Sequence, residues 1–354
     1  MSTLEQQNSA GAGAVRPGMA FDEAALARWM QANVEGFRGP MTVLQFKGGQ
    51  SIPTYQIDSP SGCYVLRRKP SGALQGAHSV EREARVQQAL AGVGFQVPKI
   101  HGLCTDESVI GSWFYVMERV NGRIFWDATF PDVDRNERPL YFDAMNSTLA
   151  ALHRLDPKAV GLGDYGKPGN YFARQISRWS RQYLEDSAAG RDPNMDALIN
   201  WLPAHIPAGD DSSIVHGDYR CDNMIFHPTE PRVIAVLDWE LSTLGHPLAD
   251  FSNHAMMYQM PPNIVAGLAG ADLKALNIPS QEQYLASYCE RTGRNNVVSW
   301  EFYIAFNFFR MAAIFHGIKG RVIRGTASSS HARERAESFP LLAELARRSM
   351  EDCK

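Results

Sequence analysis

The sequence predicts an α+β fold of two lobes, a small antiparallel-sheet lobe followed by a larger, mainly helical lobe. At 354 residues the chain exceeds the size at which one hydrophobic core keeps growing, so two lobes are expected. Strand patterns gather before residue 120, and helical patterns dominate after it. Apolar residues make up 44% of the chain and charged residues 21%, which is typical of a globular protein and argues against disorder.

Three parts are predicted along the chain: a flexible tail over residues 1–20, an N-lobe over residues 21–119 and a C-lobe over residues 120–354. The tail has neither the apolar core of a signal peptide nor the Arg-rich face of a transit peptide. The five cysteines are odd in number and form no CxxC pair. Together these features favour a reduced, cytoplasmic location.

Charge and hydropathy argue against two classes of partner. The formal charge of −3 and the scattered Lys and Arg residues predict no nucleic-acid partner. The aromatic stretch over residues 300–315 contains Glu301, Asn307 and Arg310 and is too short to cross a bilayer. We therefore expect a buried helix here and no membrane partner. The sequence leaves the oligomeric state open.

Secondary-structure patterns follow a regular order along the chain. Segments rich in β-branched or aromatic residues, separated by Gly-Gly and Pro-Ser-Gly turns, predict an antiparallel sheet. Helical spacing of apolar residues appears at 22–34, 78–90 and 142–152. The predicted strands are 42–46, 54–58, 63–68, 99–103 and 113–119, with two further short strands at 214–215 and 233–237.

The most informative pattern is HGDYRCDN at residues 216–223, followed by VLDWE at residues 236–240. Phosphoryl transfer needs a carboxylate that accepts the proton of an attacking hydroxyl and oxygen ligands that hold magnesium. Asp218 suits the first role, and Asn223 and Asp238 suit the second. We therefore predict that all three residues are catalytic and that Asn223 and Asp238 are metal ligands.

HGDxxxxN followed by a strand ending in DWE resembles the signature of the aminoglycoside phosphotransferase and choline kinase group of the protein-kinase-like superfamily. This resemblance implies a two-lobed protein-kinase-like fold and a kinase that uses ATP, or GTP, with Mg²⁺. Gly217 stands where protein kinases have the Arg of HRD, and Trp239 follows the metal Asp where they have Phe. Both departures argue for a small hydroxylated molecule rather than a protein as substrate.

The wording DYRCDNMIFHP and LDWELSTLGHPLAD looks closest to the kinase-like domains associated with acyl-CoA dehydrogenases. This likeness favours a hydroxy acid or a hydroxyacyl thioester over an aminoglycoside as the acceptor. A choline-type substrate remains open, because Tyr303, Phe306 and Phe309 could hold a quaternary amine by cation–π contact.

Segments before the catalytic motif are predicted to bind the nucleotide. Gly48, Gly49 and Ser51 belong to a glycine-rich turn that would approach phosphates, although an ordinary hairpin turn has the same pattern. Strand alternation places Val65 and Arg67 on one face, toward the base and the phosphates respectively. Lys69 shares that face, so the phosphate-side cation is Arg67 or Lys69.

The resemblance assigns two more nucleotide elements. Glu83 looks like the helix glutamate that pairs with the strand cation; Glu81 and a surface charge pair are the alternatives. The segment 114–122 falls where the hinge between lobes is expected. Its predicted nucleotide-binding residues are Met117, Glu118 and Val120.

Other residues and functions stay open. Asp250 is predicted to brace the catalytic loop, and the role of His246 is undecided. Arg310 either binds a substrate anion or pairs with an internal Asp, because an Arg in so apolar a helix needs an anionic partner. The rival functions are a nucleotide-binding module without turnover and a metallohydrolase built on His216, Asp218, Asp238 and His246.

Overall fold

The computed structural model describes residues 11–47, 52–70, 79–327 and 331–353. The chain divides into two compact units by its internal contacts. Unit 1 comprises Met1–Ile124 and Met224–Leu241, and unit 2 comprises Phe125–Asn223 and Ser242–Lys354.

Unit 1 contains a six-stranded antiparallel sheet. Its strands are β1 (Ala12–Gly13), β2 (Thr42–Phe46), β3 (Thr54–Ser59), β4 (Gly62–Arg68), β5 (Ile100–Cys104) and β6 (Phe114–Glu118), in the spatial order β1-β2-β3-β4-β6-β5. Strands β2 to β6 form where segments rich in β-branched or aromatic residues predict them.

Strand β1 lies within residues 1–20, the segment that the sequence analysis predicts to be a flexible tail. Its sequence is only Ala-Gly, which carries no strand pattern, and it forms because Ala12 pairs with Phe46 of β2. The Tyr55 hydroxyl also donates to the Met19 carbonyl at 2.9 Å. Pairing between distant segments therefore determines this part of the structure.

Each face of the sheet is covered by one helix. Helix α1 (Glu23–Asn33), capped by Asp22, buries Leu26 and Met30 against one face. Helix α2 (Val80–Ala91) buries Val80 and Ala84 against the other. A short helix, α3 (Glu107–Ile110), connects β5 to β6. Because side chains alternate along β4, Leu66 joins the α1 side and Val65 joins the α2 side.

A later hairpin completes unit 1. Strands β8 (Met224–Phe226) and β9 (Val233–Val236) pair with each other. Arg123 N donates to Phe226 O at 2.9 Å, and Val236 N donates to Gln96 O at 2.9 Å. The lobe boundary after residue 119 is expected from the order of strand and helix patterns along the chain. That order does not show that a later hairpin belongs to unit 1, as β8 and β9 do.

Unit 2 is mainly helical. Its elements are α4 (Arg138–Arg154), α5 (Tyr171–Glu185), α6 (Pro193–Trp201), β7 (Ser213–Val215), β10 (Thr243–Gly245), α7 (Pro247–Ala255), α8 (Leu273–Leu276), α9 (Gln281–Thr292), α10 (Trp300–Ile323) and α11 (Ala332–Asp352). Strands β7 and β10 form an antiparallel pair. Helix α10 contains the predicted aromatic helix, and its Phe302 and Phe306 are buried against Phe172 of α5.

Both parts of the predicted α+β class are therefore present, and that prediction is confirmed. None of the helices in the described part of the chain is long and apolar enough to span a membrane.

Candidate active site

The structure brings Asp218 and Asn223 together in the loop after β7. Asn223 Nδ2 donates to the Asp218 carboxylate at 3.1 Å and to the Asp218 carbonyl at 2.9 Å. The Asp218 side chain is 28% exposed, so a small molecule can reach the carboxylate from solvent. Arg220 Nε lies 3.6 Å from the same carboxylate. The loop therefore holds an accessible carboxylate in a fixed orientation.

Asp250 of α7 stabilises the loop that contains His216, Gly217 and Asp218. Its carboxylate accepts hydrogen bonds from His216 N at 2.6 Å and Gly217 N at 2.8 Å, and lies 3.2 Å from His153 Nε2. Burial alone would raise the pKa of Asp250, but these partners, His153 foremost, hold that pKa below its ordinary value. The geometry agrees with the bracing role expected for Asp250.

The backbone before Asp218 depends on a glycine. Gly217 has φ +84°, a left-handed conformation that residues with a side chain rarely adopt. Its carbonyl accepts a hydrogen bond from Arg310 Nη2 at 3.0 Å. Among the described residues no carboxylate forms an ion pair with Arg310, so the expected pairing with an internal Asp is not found. Arg310 instead presents a cationic group beside the loop that carries Asp218.

A second cluster lies in unit 1, around Arg67 of β4. Arg67 Nη1 is 3.3 Å from Glu83 Oε2, and Arg67 Nη2 is 2.9 Å from Asp238 Oδ1. The Tyr115 hydroxyl donates to Glu83 Oε2 at 2.8 Å, and Gln87 Nε2 donates to that hydroxyl at 3.3 Å. The cluster thus joins three of the predicted site residues through direct contacts.

Burial dominates the electrostatics of this cluster. It raises the pKa of Glu83 to about 7, with Asp238 adding to the effect and Arg67 opposing it. Desolvation would lower the pKa of Arg67, but Glu83, Tyr115 and Asp238 raise it above its ordinary value. Arg67 Nε and Glu83 Oε1 are buried without a hydrogen-bond partner among the described residues. Such unsatisfied atoms are costly in a stable core and typical of functional sites.

The alternatives to Arg67 and Glu83 have different surroundings. Lys69 Nζ lies 5.2 Å from the ring centroid of Trp113, a cation–π contact, rather than in the cluster. Glu81 makes no ion pair with Arg67, although both residues are in the described part of the chain. The geometry therefore favours Arg67 and Glu83 as the pair that the sequence analysis anticipates.

Asp238 adopts a strained conformation after β9. Its φ is +64°, which is uncommon for a residue other than glycine. The next residue, Trp239, is buried, and its indole N–H donates to Val236 O at 2.9 Å. This anchor fixes the turn and aims the Asp238 side chain at Arg67. Strain of this kind, held in place by neighbouring structure, is frequent at functional sites.

The residues predicted to contact the base lie side by side in the sheet. Val65 of β4 pairs with Met117 of β6, and both belong to the buried cluster on the α2 side. Glu118 N donates to Lys99 O at 2.8 Å, which ends the strand pairing. Val120 follows and makes no backbone hydrogen bond to another described residue. Gly48, Gly49 and Ser51 lie outside the described residues.

The chemistry of the donors can be tested against magnesium. Asn223 uses its amide nitrogen for both bonds to Asp218, and its Oδ1 makes no hydrogen bond with a described residue. Amide and carboxylate oxygens, as in Asn223 and Asp238, are ligands that Mg²⁺ accepts. No group of three or more His, Cys, Asp or Glu residues in the described ranges could hold a metal ion by itself. Each of these two oxygen donors, Asn223 in unit 2 and Asp238 in unit 1, is therefore of a type that fits an ion with further ligands from elsewhere.

His246 has a structural use in this arrangement. Its Nδ1 accepts a hydrogen bond from Leu248 N at 3.2 Å, which caps α7, and its ring stacks on Tyr303. Burial lowers the pKa of His246 to about 4. The histidine thus supplies to the helix the cap that an Asp or Asn commonly provides.

Two further residues of the site are absent from the sequence predictions. Tyr115 holds the Glu83 carboxylate, and strand alternation does place it on the α2 side together with Met117, although nothing local identifies its partner. Arg220 approaches Asp218, and its position inside the HGDYRCDN motif was the only available signal.

Comparison with known sequences places the chain beside phosphotransferases. The profile of the family described as phosphotransferase enzyme family matches residues 42–285. The acyl-CoA dehydrogenase family member 10 of Mus musculus is 42% identical over 336 residues, covering 94% of this chain and 31% of its own length. The human family member 11 is 41% identical, covering 89% of this chain and 41% of its own length. The chain thus spans less than half the length of these relatives.

Solved structures give the same picture. A candidate aminoglycoside phosphotransferase from Ralstonia eutropha is 50% identical, with a TM-score of 0.87, and the match covers 95% of this chain and 100% of the other. Choline kinase from Cryptosporidium parvum has a TM-score of 0.66 at 11% identity, covering 94% and 97%. The aminoglycoside phosphotransferase APH(4)-Ia, solved with ADP and hygromycin B, has a TM-score of 0.59 at 13% identity, covering 93% and 98%. The predicted kinase-like fold is therefore confirmed.

Proposed function

The chain belongs to the phosphotransferase enzyme family, and from this premise we propose that it is an ATP- and Mg²⁺-dependent kinase for a hydroxyl group of a small molecule. The predicted resemblance and the predicted enzyme class, a phosphotransferase, are confirmed by this membership. The observation that carries the proposal is the pair of hydrogen bonds by which Asn223 orients Asp218. This pair holds a carboxylate ready to receive a proton from an acceptor hydroxyl.

In the proposed reaction Asp218 orients the acceptor hydroxyl and accepts its proton as the hydroxyl oxygen bonds to the γ-phosphorus of ATP. The bond from that phosphorus to the bridging oxygen breaks, and ADP leaves. Asn223 keeps the Asp218 carboxylate aimed, and Asp250 keeps the loop in place through His216 and Gly217. Positioning of this kind supplies most of the catalysis in phosphoryl transfer.

Asn223 and Asp238 are the proposed magnesium ligands. Each offers an oxygen donor of the type that Mg²⁺ prefers. When bound, the ion would neutralise charge on the nucleotide phosphates. Asp238 is held for this role by its anchored turn and by Arg67, whose charge also offsets that of the carboxylate.

The proposed nucleotide contacts come from unit 1. Arg67, oriented by Glu83, faces the phosphates, and Val65 and Met117 contact the base. The backbone of Glu118 and Val120 would hydrogen-bond the base edge, and the glycine-rich turn with Gly48, Gly49 and Ser51 would approach the phosphates. The complex of APH(4)-Ia with ADP supports an adenine nucleotide. GTP remains the alternative donor.

A hydroxy acid or a hydroxyacyl thioester is the proposed acceptor. Two observations support this choice: the matched relatives are named as acyl-CoA dehydrogenase family members, and Arg310 presents a cation beside the catalytic loop. An aminoglycoside or choline-type acceptor is the second candidate, supported by the names of the structural neighbours. We further propose a cytoplasmic location and no nucleic-acid partner, since the described cysteines are unpaired and the formal charge is −3.

The first test is a thermal-shift titration with ATP and with GTP, each with and without magnesium. Ligand binding to the native state raises its stability by RT ln(1 + [L]/Kd), about 2.7 kcal/mol at a hundredfold excess over Kd. A magnesium-dependent shift with ATP is expected, followed by release of ADP when a suitable hydroxy acid or thioester is added. A nucleotide shift without ADP release from any acceptor would support the binding module without turnover instead.

A further inference from the structure

A groove lined with arginines lies between α5 and α10 of unit 2, outside the residues assigned so far. Its volume is about 500 Å³. We call it the arginine groove. Its charged residues are Arg178, Arg181, Glu185 and Asp186 on the α5 side and Arg321 and Arg324 on the α10 side.

The charges of the arginine groove do not balance. Arg324 forms a bidentate pair with Asp186, at 2.6 and 2.9 Å. Arg178, Arg181 and Arg321 form no ion pair with any residue in the described ranges. Four arginines against two carboxylates leave an excess of two positive charges within one groove. Guanidinium groups gathered in this way suit phosphate, which their planar donor forks bind in pairs.

A glycine in α10 shapes the groove. A Cβ at Gly320 would collide with the Asp186 carboxylate. Glycine is therefore needed where the end of α5 meets α10, even though glycine inside a helix is unfavourable. This close approach places Asp186 against α10 and brings Arg324 and Arg321 to the same groove as the α5 arginines.

The arginine groove is connected to the catalytic loop by helix α10. Arg310, which contacts Gly217 O beside Asp218, precedes Arg321 by three helical turns, so both lie on the same face of α10. At a rise of about 1.5 Å per residue, the two positions are roughly 16 Å apart along the axis. The groove is therefore at a defined distance from the predicted reacting carboxylate.

Tyr171 of α5 lies within electrostatic range of both places. Burial raises the pKa of Tyr171, the nearby charges of Arg310, Arg174 and Arg178 lower it, and the charge of Asp250 raises it. Arg178 of the arginine groove and Arg310 beside the loop of Asp218 are therefore both close to this phenol.

Resting on the kinase function proposed above, we propose that the arginine groove binds the phosphorylated adenosine end of a coenzyme A thioester whose acyl chain carries the acceptor hydroxyl. That end bears a pyrophosphate and a 3′-phosphate, which match the surplus guanidinium groups. An extended pantetheine arm has about the length that separates Arg321 from Arg310. The thioester bond is not altered by the reaction; only the hydroxyl proton and the γ-phosphoryl group are transferred.

Isothermal titration of coenzyme A into the full chain tests the proposal. The nucleotide site is filled beforehand with magnesium and a non-hydrolysable ATP analogue, so that only a second site is observed. We expect wild-type protein to bind coenzyme A more tightly than dephospho-coenzyme A. The double variant Arg178→Gln, Arg321→Gln should weaken coenzyme A binding at least tenfold and remove the preference for the 3′-phosphate. The control Arg333→Gln, at an exposed position of α11 outside the groove, should bind as wild type does.

Three results would overturn the proposal: no binding of coenzyme A at millimolar concentration, displacement of coenzyme A by the ATP analogue, or unchanged affinity in the double variant. Inorganic pyrophosphate that binds as tightly as coenzyme A would reveal a general anion site and would also overturn it. The kinase proposal is judged separately, by Asp218-dependent release of ADP with hydroxy acids that lack coenzyme A. Loss of one activity without the other identifies which proposal has failed.

Discussion

The amide of Asn223 makes two hydrogen bonds to one residue, to the Asp218 carboxylate at 3.1 Å and to its carbonyl at 2.9 Å. This geometry fixes the carboxylate relative to its own backbone and leaves the amide oxygen of Asn223 for a cation. In the proposed mechanism one side chain therefore both aims the proton acceptor and binds magnesium. This proposed double use accounts for the spacing of five residues in HGDYRCDN.

Replacing Asp218 by Asn should reduce kcat by about 10²- to 10⁴-fold, because general-base catalysis by a positioned carboxylate contributes about that much. The Kd for ATP with magnesium should change by less than about threefold, since the side chain acts on the acceptor. ADP release and isothermal titration measure the two effects. Asp132→Asn, an exposed carboxylate of the same unit, is the matched control. Turnover near that of wild type would show that Asp218 is not the base.

Replacing Asp238 by Asn should remove the magnesium-dependent part of ATP binding. Asn tolerates the positive φ of this position and can still accept the hydrogen bond from Arg67, so the fold is preserved. The amide lacks the negative charge of the carboxylate, so with Asn at this position neither proposed ligand would be charged and the ion would be held much more weakly. Thermal shifts with ATP, with and without magnesium, measure the effect. A full magnesium-dependent shift in this variant would contradict the assignment of Asp238 as a ligand.

The sequence identifies candidate site residues by their spacing: Asp218, Asn223 and Asp238 stand in one short stretch, and their roles are proposals. Strands β2 to β6 follow from segments rich in β-branched and aromatic residues that are separated by turn residues. The contact between Arg67 and Asp238 could not be predicted in this way, because the two residues are 171 positions apart along the chain. The choice between Arg67 and Lys69 therefore depends on the three-dimensional structure, in which Lys69 lies over Trp113.

Other features could not be predicted because they depend on contacts between distant segments. Strand β1 has no pattern of its own and forms only by pairing with β2. For Arg310 the sequence leaves two anionic partners open, a substrate group and an internal Asp; the internal Asp is not found among the described residues, and Arg310 donates to the Gly217 carbonyl, a group that every residue carries. The sequence assigns His246 no role, because its capping of α7 depends on the hydrogen bond that it accepts from Leu248 N.

The stability of the protein should depend on pH through Glu83. Burial raises the pKa of Glu83 from 4.5 to about 7, so the folded state retains a proton that the unfolded state has released between these values. The stabilising contribution is therefore complete below about pH 4.5 and is lost as the pH rises through 7. Relative to Glu83→Gln, the wild type should lose up to about 3 kcal/mol of unfolding free energy over this range.

Urea unfolding of both proteins at several pH values between 4.5 and 8 measures this difference. The Gln variant keeps an acceptor for the Tyr115 hydroxyl and serves as the reference that does not titrate. Parallel pH profiles for the two proteins would show that the pKa of Glu83 is not raised in the folded state.

His246 should give the opposite dependence, on the acidic side. Burial, with the charges of Arg294 and His153 adding to it, lowers the pKa of His246 from 6.5 to about 4, against the opposing effect of nearby carboxylates. Between these pH values the unfolded state binds a proton that the folded state excludes, so stability falls as the pH is lowered from 6.5. His246→Asn keeps a side chain able to cap α7 and removes the titration. As the pH falls from 6.5 to 4, the unfolding free energy of the wild type should decrease by up to about 3 kcal/mol more than that of the variant.

The experiment compares urea unfolding of wild type, His246→Asn and His205→Asn across that range. His205 is exposed, so its replacement controls for the general effect of removing an imidazole. A variant that loses stability as steeply as the wild type would show that His246 becomes protonated in the folded state. Protonation of Nδ1 in the folded state would break the helix cap. A protonated nitrogen cannot accept the hydrogen bond that Leu248 N donates to it.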